Sequence, residues 1–250
     1  MDGMNKCKVQ GLLFDYGGTL DTNGRHWANV LWESYRRMAV PVTEEQFRSA
    51  YVYGERALAK SPIIGMDDNF HVLLLKKARI ELAFLREQGF WKADAADASS
   101  AAERIAAYCY EYVCRQLQLS RHVLEQLSPH YPMVMVTNFY GNMKSVLADF
   151  HLDTFFSSVV ESALVGVRKP DPAIYRKGTE ALGLLPGETC VIGDSFDKDI
   201  VPAHALGCHT IWLKGEEWKP EEHDTSLADA VITGIEQLPG VLLGNLRRRK

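Results

Sequence analysis

The sequence predicts an α/β fold in which a parallel-sheet core is interrupted by an inserted α-helical cap. Three observations carry this expectation. A buried-strand pattern (Val9, Leu12, Leu13, Phe14) stands alone near the start; about a hundred residues of helical periodicity follow without strand-like alternation; and from Tyr131 onward strand and helix patterns alternate. Such alternation marks parallel strands joined by crossover helices, so the first strand and the later ones belong to one sheet. The expected division is a core of residues 1–22 and 119–250 and a cap of residues 23–118.

The opening strand ends in Asp15, followed by Tyr16, Gly17, Gly18, Thr19 and Leu20. In an open α/β sheet, ligands bind beyond the carboxyl ends of the strands, and glycines there let backbone approach a ligand or metal closely. An Asp beside glycines is equally the composition of a plain turn, so the rest of the chain must decide. In the helical stretch, Trp27, Val30, Leu31, Ser34 and Tyr35 recur at helical spacing, and Thr43-Glu44-Glu45-Gln46 is a capping box that opens a helix running through Tyr51 to Leu58. Lys60-Ser61-Pro62 breaks it. A long helix from about 68 to 88 stops at Gly89, and another from about 99 to 118 carries Ile105, Tyr108, Cys109, Tyr112, Val113 and Leu117 on one stripe. These helices form a small bundle over the sheet edge that bears Asp15, where a lid would exclude water or select substrates.

In the second half, Met133 to Val136 is a buried strand ending in Thr137-Asn138, and a helix from about 142 to 150 leads to a strand at 158–161. Pro170 and Pro172 fix the loop Gly166 to Pro172 and start a helix that Gly183 stops. Thr189 to Ile192 is the next strand, ending in Gly193-Asp194-Ser195; a helix from about 198 to 206, a strand from His209 to Leu213, a last strand near Ala230 to Ile232 and a terminal helix complete the pattern. The acidic, Pro-containing segment from Lys214 to Leu227 reads as a surface excursion.

Composition narrows the function. With 46% hydrophobic and 24% charged residues the chain is an ordinary globular one, and its net charge of -4 leaves no footprint for nucleic acid. The basic cluster Arg247 to Lys250 reads as a solvated tail. No apolar run is long enough to span a bilayer, Met1 to Gln10 lacks the apolar core of a signal peptide, and the expected setting is cytoplasmic without membrane partners. Five scattered cysteines without CxxC spacing read as reduced, mostly buried small hydrophobes.

Three strand ends thus carry polar residues of related use: Asp15, Thr137 with Asn138, and Asp194 with Ser195, and the Pro170 loop adds Lys169. Two carboxylates, a hydroxyl, an amide and an ammonium on one sheet edge can hold magnesium and a phosphoryl group, and a carboxylate can itself be the nucleophile. In this order they resemble the four motifs of the haloacid dehalogenase superfamily: Asp15 to Thr19 the first (DxDxT), Thr137-Asn138 the second, Lys169-Pro170 the third, and Gly193 to Ile200 the fourth. The resemblance covers the whole chain and implies a Rossmann-like core with a helical C1 cap. It further implies that Asp15 attacks phosphorus, that Thr137 and Lys169 hold phosphoryl oxygens, and that Gly18, Thr19 and Asn138 line the substrate. Asp194 and the Gly17 carbonyl would ligate magnesium with Asp15, and Asp199 would support that shell.

The chain departs from the family pattern where its phosphatases carry a second Asp that moves protons; here that residue is Gly17. General acid and base assistance is typically worth ~10²–10⁴ in rate. Three readings follow: a phosphohydrolase of small phosphorylated metabolites whose protons are carried by the cap, Asp21 or His26, or not at all; a dehalogenase, or a phosphonatase with Lys60 as its amine; and a pseudoenzyme that binds a phosphorylated ligand. Asp194 with Asp199 argues against a metal-free dehalogenase, because unpaired carboxylates repel an anionic substrate. Substrate selection is expected in the segment from Tyr51 to Asp68, with Tyr51, Tyr53 and Ile63 as an apolar lining.

Overall fold

In the computed structural model, which describes residues 9–218 and 222–247, one parallel sheet carries the molecule. Cys7 and the last three residues of the basic cluster lie outside the described residues, as does most of Met1 to Gln10. Strand β1 (Gly11–Phe14) is followed by four helices, α1 (Trp27–Arg37), α2 (Glu44–Lys60), α3 (Phe70–Glu87) and α4 (Ala95–Leu127). The sheet resumes with β2 (Met133–Thr137), and α5 (Met143–Asp149), β3 (Ser158–Glu161), α6 (Ser162–Val165) and α7 (Ala173–Leu182) follow. The chain ends with β4 (Thr189–Gly193), α8 (Val201–Leu206), β5 (His209–Leu213), β6 (Ala230–Ile232) and α9 (Leu238–Arg247). The strand order is β3-β2-β1-β4-β5-β6, so β1 lies inside the sheet and the order reverses across it. A ligand crevice forms at such a switch point, beyond the strand ends.

The unbroken apolar run of β1 reflects burial on both faces, since alternate residues point to opposite sides. Leu12 and Phe14 join the core shared with α4, α5 and α9, whereas Leu13 packs with Ile174, Tyr175 and Ala203 on the other face. Phe14 stands level with Met135 of β2 and Ile192 of β4, which brings Asp15, Thr137 and Asp194 to one edge.

The helices start where side chains satisfy their first N–H groups. Thr43 forms the expected capping box with Gln46, and Asn69 and Asp94 cap α3 and α4. Helix α4 is 33 residues long, far longer than the 99–118 the sequence pattern indicates. Its buried stripe continues through Ser120, Val123, Leu124 and Leu127, so one rod runs from the helical bundle to the sheet, and the expected boundary at 118/119 falls inside it. Ser120 fastens the rod by donating to the carbonyl of Leu20 at 2.6 Å. A π-helical turn over Phe196–Ile200 precedes α8, replacing the first part of the helix expected from 198.

The described part of the Lys214 to Leu227 segment is not a plain surface excursion. Glu216 forms a β-bridge and an ion pair with Arg25, and Trp218 packs edge-to-face on Tyr51 at 4.7 Å between ring centroids. The physical reason is the apolar body of Trp218, which finds the aromatic face of the helical bundle despite the acidic residues around it. No helix among the described residues is long and apolar enough to cross a membrane.

Candidate active site

Asp15 follows the last residue of β1, and its N–H donates to Ile192 across the sheet at 2.9 Å. Gly17 is exposed, and a Cβ built there meets nothing within 4 Å. Gly18 has the opposite constraint. Its φ is +98°, and a Cβ would fall 2.3 Å from a carboxylate oxygen of Asp194, so only glycine lets that carboxylate approach. The Thr19 hydroxyl lies 3.2 Å from Asp15 Oδ2 and 3.0 Å from Asp194 Oδ1, and it accepts from the Asp194 N–H at 3.0 Å. Thr19 is fully buried behind the two carboxylates and orders them, and the Gly18 N–H is committed to Asp21 at 2.7 Å. Both donors are thus engaged within the loop, and Gly18 lines the cavity.

Lys169 is buried, with its Nζ 2.5 Å from Asp15 Oδ1 and 2.7 Å from Asp199 Oδ1. Asn138 clamps the Lys169 backbone: its amide donates to the Lys169 carbonyl at 3.1 Å and accepts the Lys169 N–H at 2.9 Å. That engagement makes Asn138 a support of Lys169, and Asn138 also lines the cavity. Thr137, the last residue of β2, lines the same cavity, and its hydroxyl makes no hydrogen bond among the described residues. Asp199 accepts from the Tyr175 hydroxyl at 2.7 Å and from the Ser195 N–H at 3.0 Å. The indole N–H of Trp212 holds the Asp194 carbonyl at 2.9 Å. Tyr175 and Trp212 were not foreseen, because each reaches the site from a neighbouring element.

Carboxylate oxygens of Asp15, Asp194 and Asp199 lie within 4.8 Å of one another. Burial pushes Asp15 up to about 6 against the pull of Lys169, and burial with the charges of Asp15 and Asp199 raises Asp194 well above the usual range. For Lys169, burial disfavours the charge, but Asp15 and Asp199 outweigh it and hold the ammonium protonated. Three carboxylates, two buried and the Asp194 one half-buried, converge around one ammonium, and an all-oxygen donor set of this kind fits a hard divalent cation.

The site opens into a cavity of about 1070 Å³ between the sheet edge and the helical bundle. Of the proton carriers considered from sequence, Asp21 is fully buried and uses both oxygens, one for Gly18 and the other for the Trp27 indole at 2.8 Å. His26 does line the cavity, but its Nδ1 accepts from the Ala28 N–H at 3.1 Å as the cap of α1. Burial, with Lys198 and Lys77 nearby, lowers His26 to about 4, so the ring is neutral at pH 7. Lys60 stands exposed at the rim. Tyr51 lines the cavity, whereas Tyr53 stacks outward on Phe84 and Ile63 packs beside Leu58, Ile64 and Leu73. Sequence reasoning missed Glu55 and Lys77 on the bundle side. The available signal was a lysine on the apolar stripe of α3, between Leu74 and Ala78.

The chain is 38% identical over 92 residues to a glyceraldehyde 3-phosphate phosphatase of Pyrococcus furiosus, covering 36% of this chain and 38% of that one. It is 35% identical over 71 residues to a phosphoserine phosphatase of Thermus thermophilus, covering 28% of each. These matches thus span well under half of each relative's length. Among solved structures, a magnesium-bound HAD-hydrolase of Bacillus subtilis superposes with a TM-score of 0.60 at 20% identity, covering 94% of this chain and 99% of that one. A HAD phosphatase of Thermococcus onnurineus gives 0.53 at 21% identity, covering 94% and 98%. The family model for haloacid dehalogenase-like hydrolases matches residues 9–207, and the chain belongs to that family.

Proposed function

We propose that the protein is a magnesium-dependent phosphohydrolase of small phosphorylated metabolites that forms an aspartyl phosphate on Asp15. The observation that carries this is the Asp15 carboxylate at the end of an interior strand, held by Lys169 at 2.5 Å and facing a cavity that Asp194 and Asp199 also line. Phosphatase names among the partial relatives support the same chemistry.

Asp15 attacks phosphorus and the alkoxide or phenolate departs; water then attacks the acyl phosphate, freeing Asp15 and inorganic phosphate. Lys169 and the unengaged Thr137 hydroxyl face the charge that develops on the phosphoryl oxygens. Asp15, Asp194 and the Gly17 carbonyl would hold magnesium, with Asp199 oriented by Tyr175 beside them, and the cation supplies charge stabilisation to the phosphoryl group. No side chain at position 17 carries a proton, Asp21 is sequestered and the neutral His26 is fixed as a helix cap. Without a carrier at these three positions, leaving groups that depart unprotonated are favoured. Against the phosphonatase reading, Lys60, the amine nominated for it, stands at the rim and Lys77 is held protonated beside Glu55. Free buried thiols at Cys109, Cys190 and Cys208 suit a reducing, cytoplasmic setting.

The test is intact mass spectrometry after incubation with magnesium and an aryl or acyl phosphate. A phosphate adduct that maps to Asp15 and is absent from Asp15→Asn is expected. No adduct and no released phosphate across a broad panel would overturn the reading, and a persistent adduct would show capture without release.

A further inference from the structure

Both halves of the Asp15 reaction move their protons on one side of the cavity. Displacement at phosphorus keeps the attacking and leaving oxygens roughly in line, so the leaving oxygen departs opposite Asp15 and water later enters from the same direction. Asp15 stands on the sheet edge, and the bundle faces it across the cavity. Attack by water therefore calls for a base on the bundle side. Apart from Asp15, Asp194 and Asp199, Glu55 of α2 is the one carboxylate among the described residues that line the cavity, and 37% of its side chain is accessible. The neutral His26 ring does not serve, because Nδ1 already accepts the Ala28 N–H and Nε2 then carries the hydrogen. Burial holds the Tyr51 and Tyr140 hydroxyls protonated, and Lys77 stays an ammonium because Glu55 outweighs the cost of its burial.

Glu55 is fixed from both sides of the cavity. The buried Lys77 ammonium of α3 donates to it, and the Tyr140 hydroxyl lies 3.4 and 3.3 Å from its two oxygens. Tyr140 belongs to the loop that leaves Thr137, so the sheet edge itself reaches this carboxylate. Burial alone would raise Glu55, but Lys77, Tyr140 and the charge of Lys198, from the turn between Asp194 and Asp199, outweigh it and hold the group below 4.5. A carboxylate that stays ionised can take a proton but has none to give, so it suits the attacking water and not the leaving group. We infer that Glu55 is the general base of the second half-reaction, a post left open by the absence of a side chain at Gly17. The water oxygen bonds to phosphorus as the bond from phosphorus to Asp15 breaks; the electron pair returns to the Asp15 carboxylate, and the water proton passes to Glu55. Inorganic phosphate departs, and the accessible face of Glu55 releases the proton to solvent. Tyr140 is a positioning residue that keeps the carboxylate turned toward the sheet edge.

This role rests on the Asp15 reaction proposed above, and pre-steady-state kinetics separate the two. The probe is p-nitrophenyl phosphate, whose leaving group needs no acid, mixed with magnesium and each variant while nitrophenolate release and intact mass are followed. In Glu55→Gln a burst near one nitrophenolate per protein is expected, at a rate within about threefold of the parent's first turnover. The steady rate that follows should lie ~10²-fold below the parent's, with phosphate persisting on Asp15. Tyr140→Phe should keep the burst and lose about threefold in the steady rate. Gly17→Asp introduced into Glu55→Gln should raise the steady rate at least tenfold, because a carboxylate there meets open space and can take the water proton. A purely structural Glu55 would slow both phases alike and gain nothing from Gly17→Asp, and either result overturns the inference. So does a Glu55→Gln protein, folded by its melting temperature, whose steady rate stays within threefold of the parent's. If Glu55→Gln does not fold, an unchanged steady rate in Tyr140→Phe overturns it instead. A parent that forms the Asp15 adduct which Glu55→Gln discharges at full rate overturns this inference alone. Absence of both adduct and nitrophenolate from the parent overturns the Asp15 reading as well.

Discussion

Gly17 and Gly18 are adjacent glycines with different physical content. A side chain at Gly18 would collide with the Asp194 carboxylate and would require a positive φ, so Gly18→Ala should displace Asp194 and reduce phosphate release at least tenfold in a steady-state assay with magnesium. Gly17 is open, and a carboxylate placed there meets only the cavity. Gly17→Asp restores a proton carrier at that position, and kcat for an alkyl phosphate should rise by ~10²-fold, with a smaller rise for a nitrophenyl ester that departs without help. An unchanged rate for the alkyl ester in a folded variant would count against the missing acid and base. Asp15, Thr137, Lys169 and Asp194 were legible in the sequence because each sits at the end of an apolar strand or beside a proline-fixed loop. Tyr175 and Trp212 were not, because side chains that cross from one element to another leave no mark in local spacing.

At the scale of elements, the sequence located the sheet and the helical insertion but misjudged two connections. Helix α4 continues past Gln118 because its stripe exchanges bundle neighbours for core neighbours without losing its period. The segment after β5 was masked by its acidic residues, yet the Arg25–Glu216 contact and Trp218 close it over the bundle at His26 and Tyr51. Arg48 of α2 adds a cation–π contact, its guanidinium carbon 5.4 Å from the Trp218 ring centroid. This segment leaves from the core sheet and grips α1 and α2, so it restrains the bundle over the cavity. Trp218→Ala removes the aromatic contacts while leaving Asp15 and its partners untouched. Hydrogen exchange of the amides in α2 should quicken several-fold in that variant, with little change in β1 and β4; uniform exchange across both regions would show that Trp218 restrains nothing.

For the whole molecule, the decisive groups are buried charges that binary patterning reads as errors. Glu81 sits at the centre of the helical bundle, fully buried, on the apolar stripe of α3. Tyr35 of α1 donates to its Oε2 at 2.9 Å, Oε1 has no hydrogen-bond partner, and Gly54 of α2 leaves the room it occupies. Lys77 on its own helix, Glu55 and Tyr51 of α2, the Cys109 thiol of α4 and Tyr140 are its further titratable surroundings. Burial, reinforced by Glu55 and opposed by Lys77 and Tyr35, raises Glu81 from 4.5 to about 7. A carboxyl raised in the fold contributes stability that is fully present below pH 4.5 and is lost as pH rises through about 7. His26 acts in the opposite sense: lowered from 6.5 to about 4, it favours the fold as pH rises through that window. The parent pH profile is therefore a composite, and only a difference isolates Glu81. Glu81→Gln is neutral at every pH, so its stability relative to the parent should climb between pH 4.5 and 7 by about 3 kcal/mol and then level off. Denaturant unfolding of both proteins at pH 5, 6, 7 and 8 measures this directly. A difference that stays constant across those pH values would mean that Glu81 is ionised in the folded bundle and that Lys77 outweighs its burial.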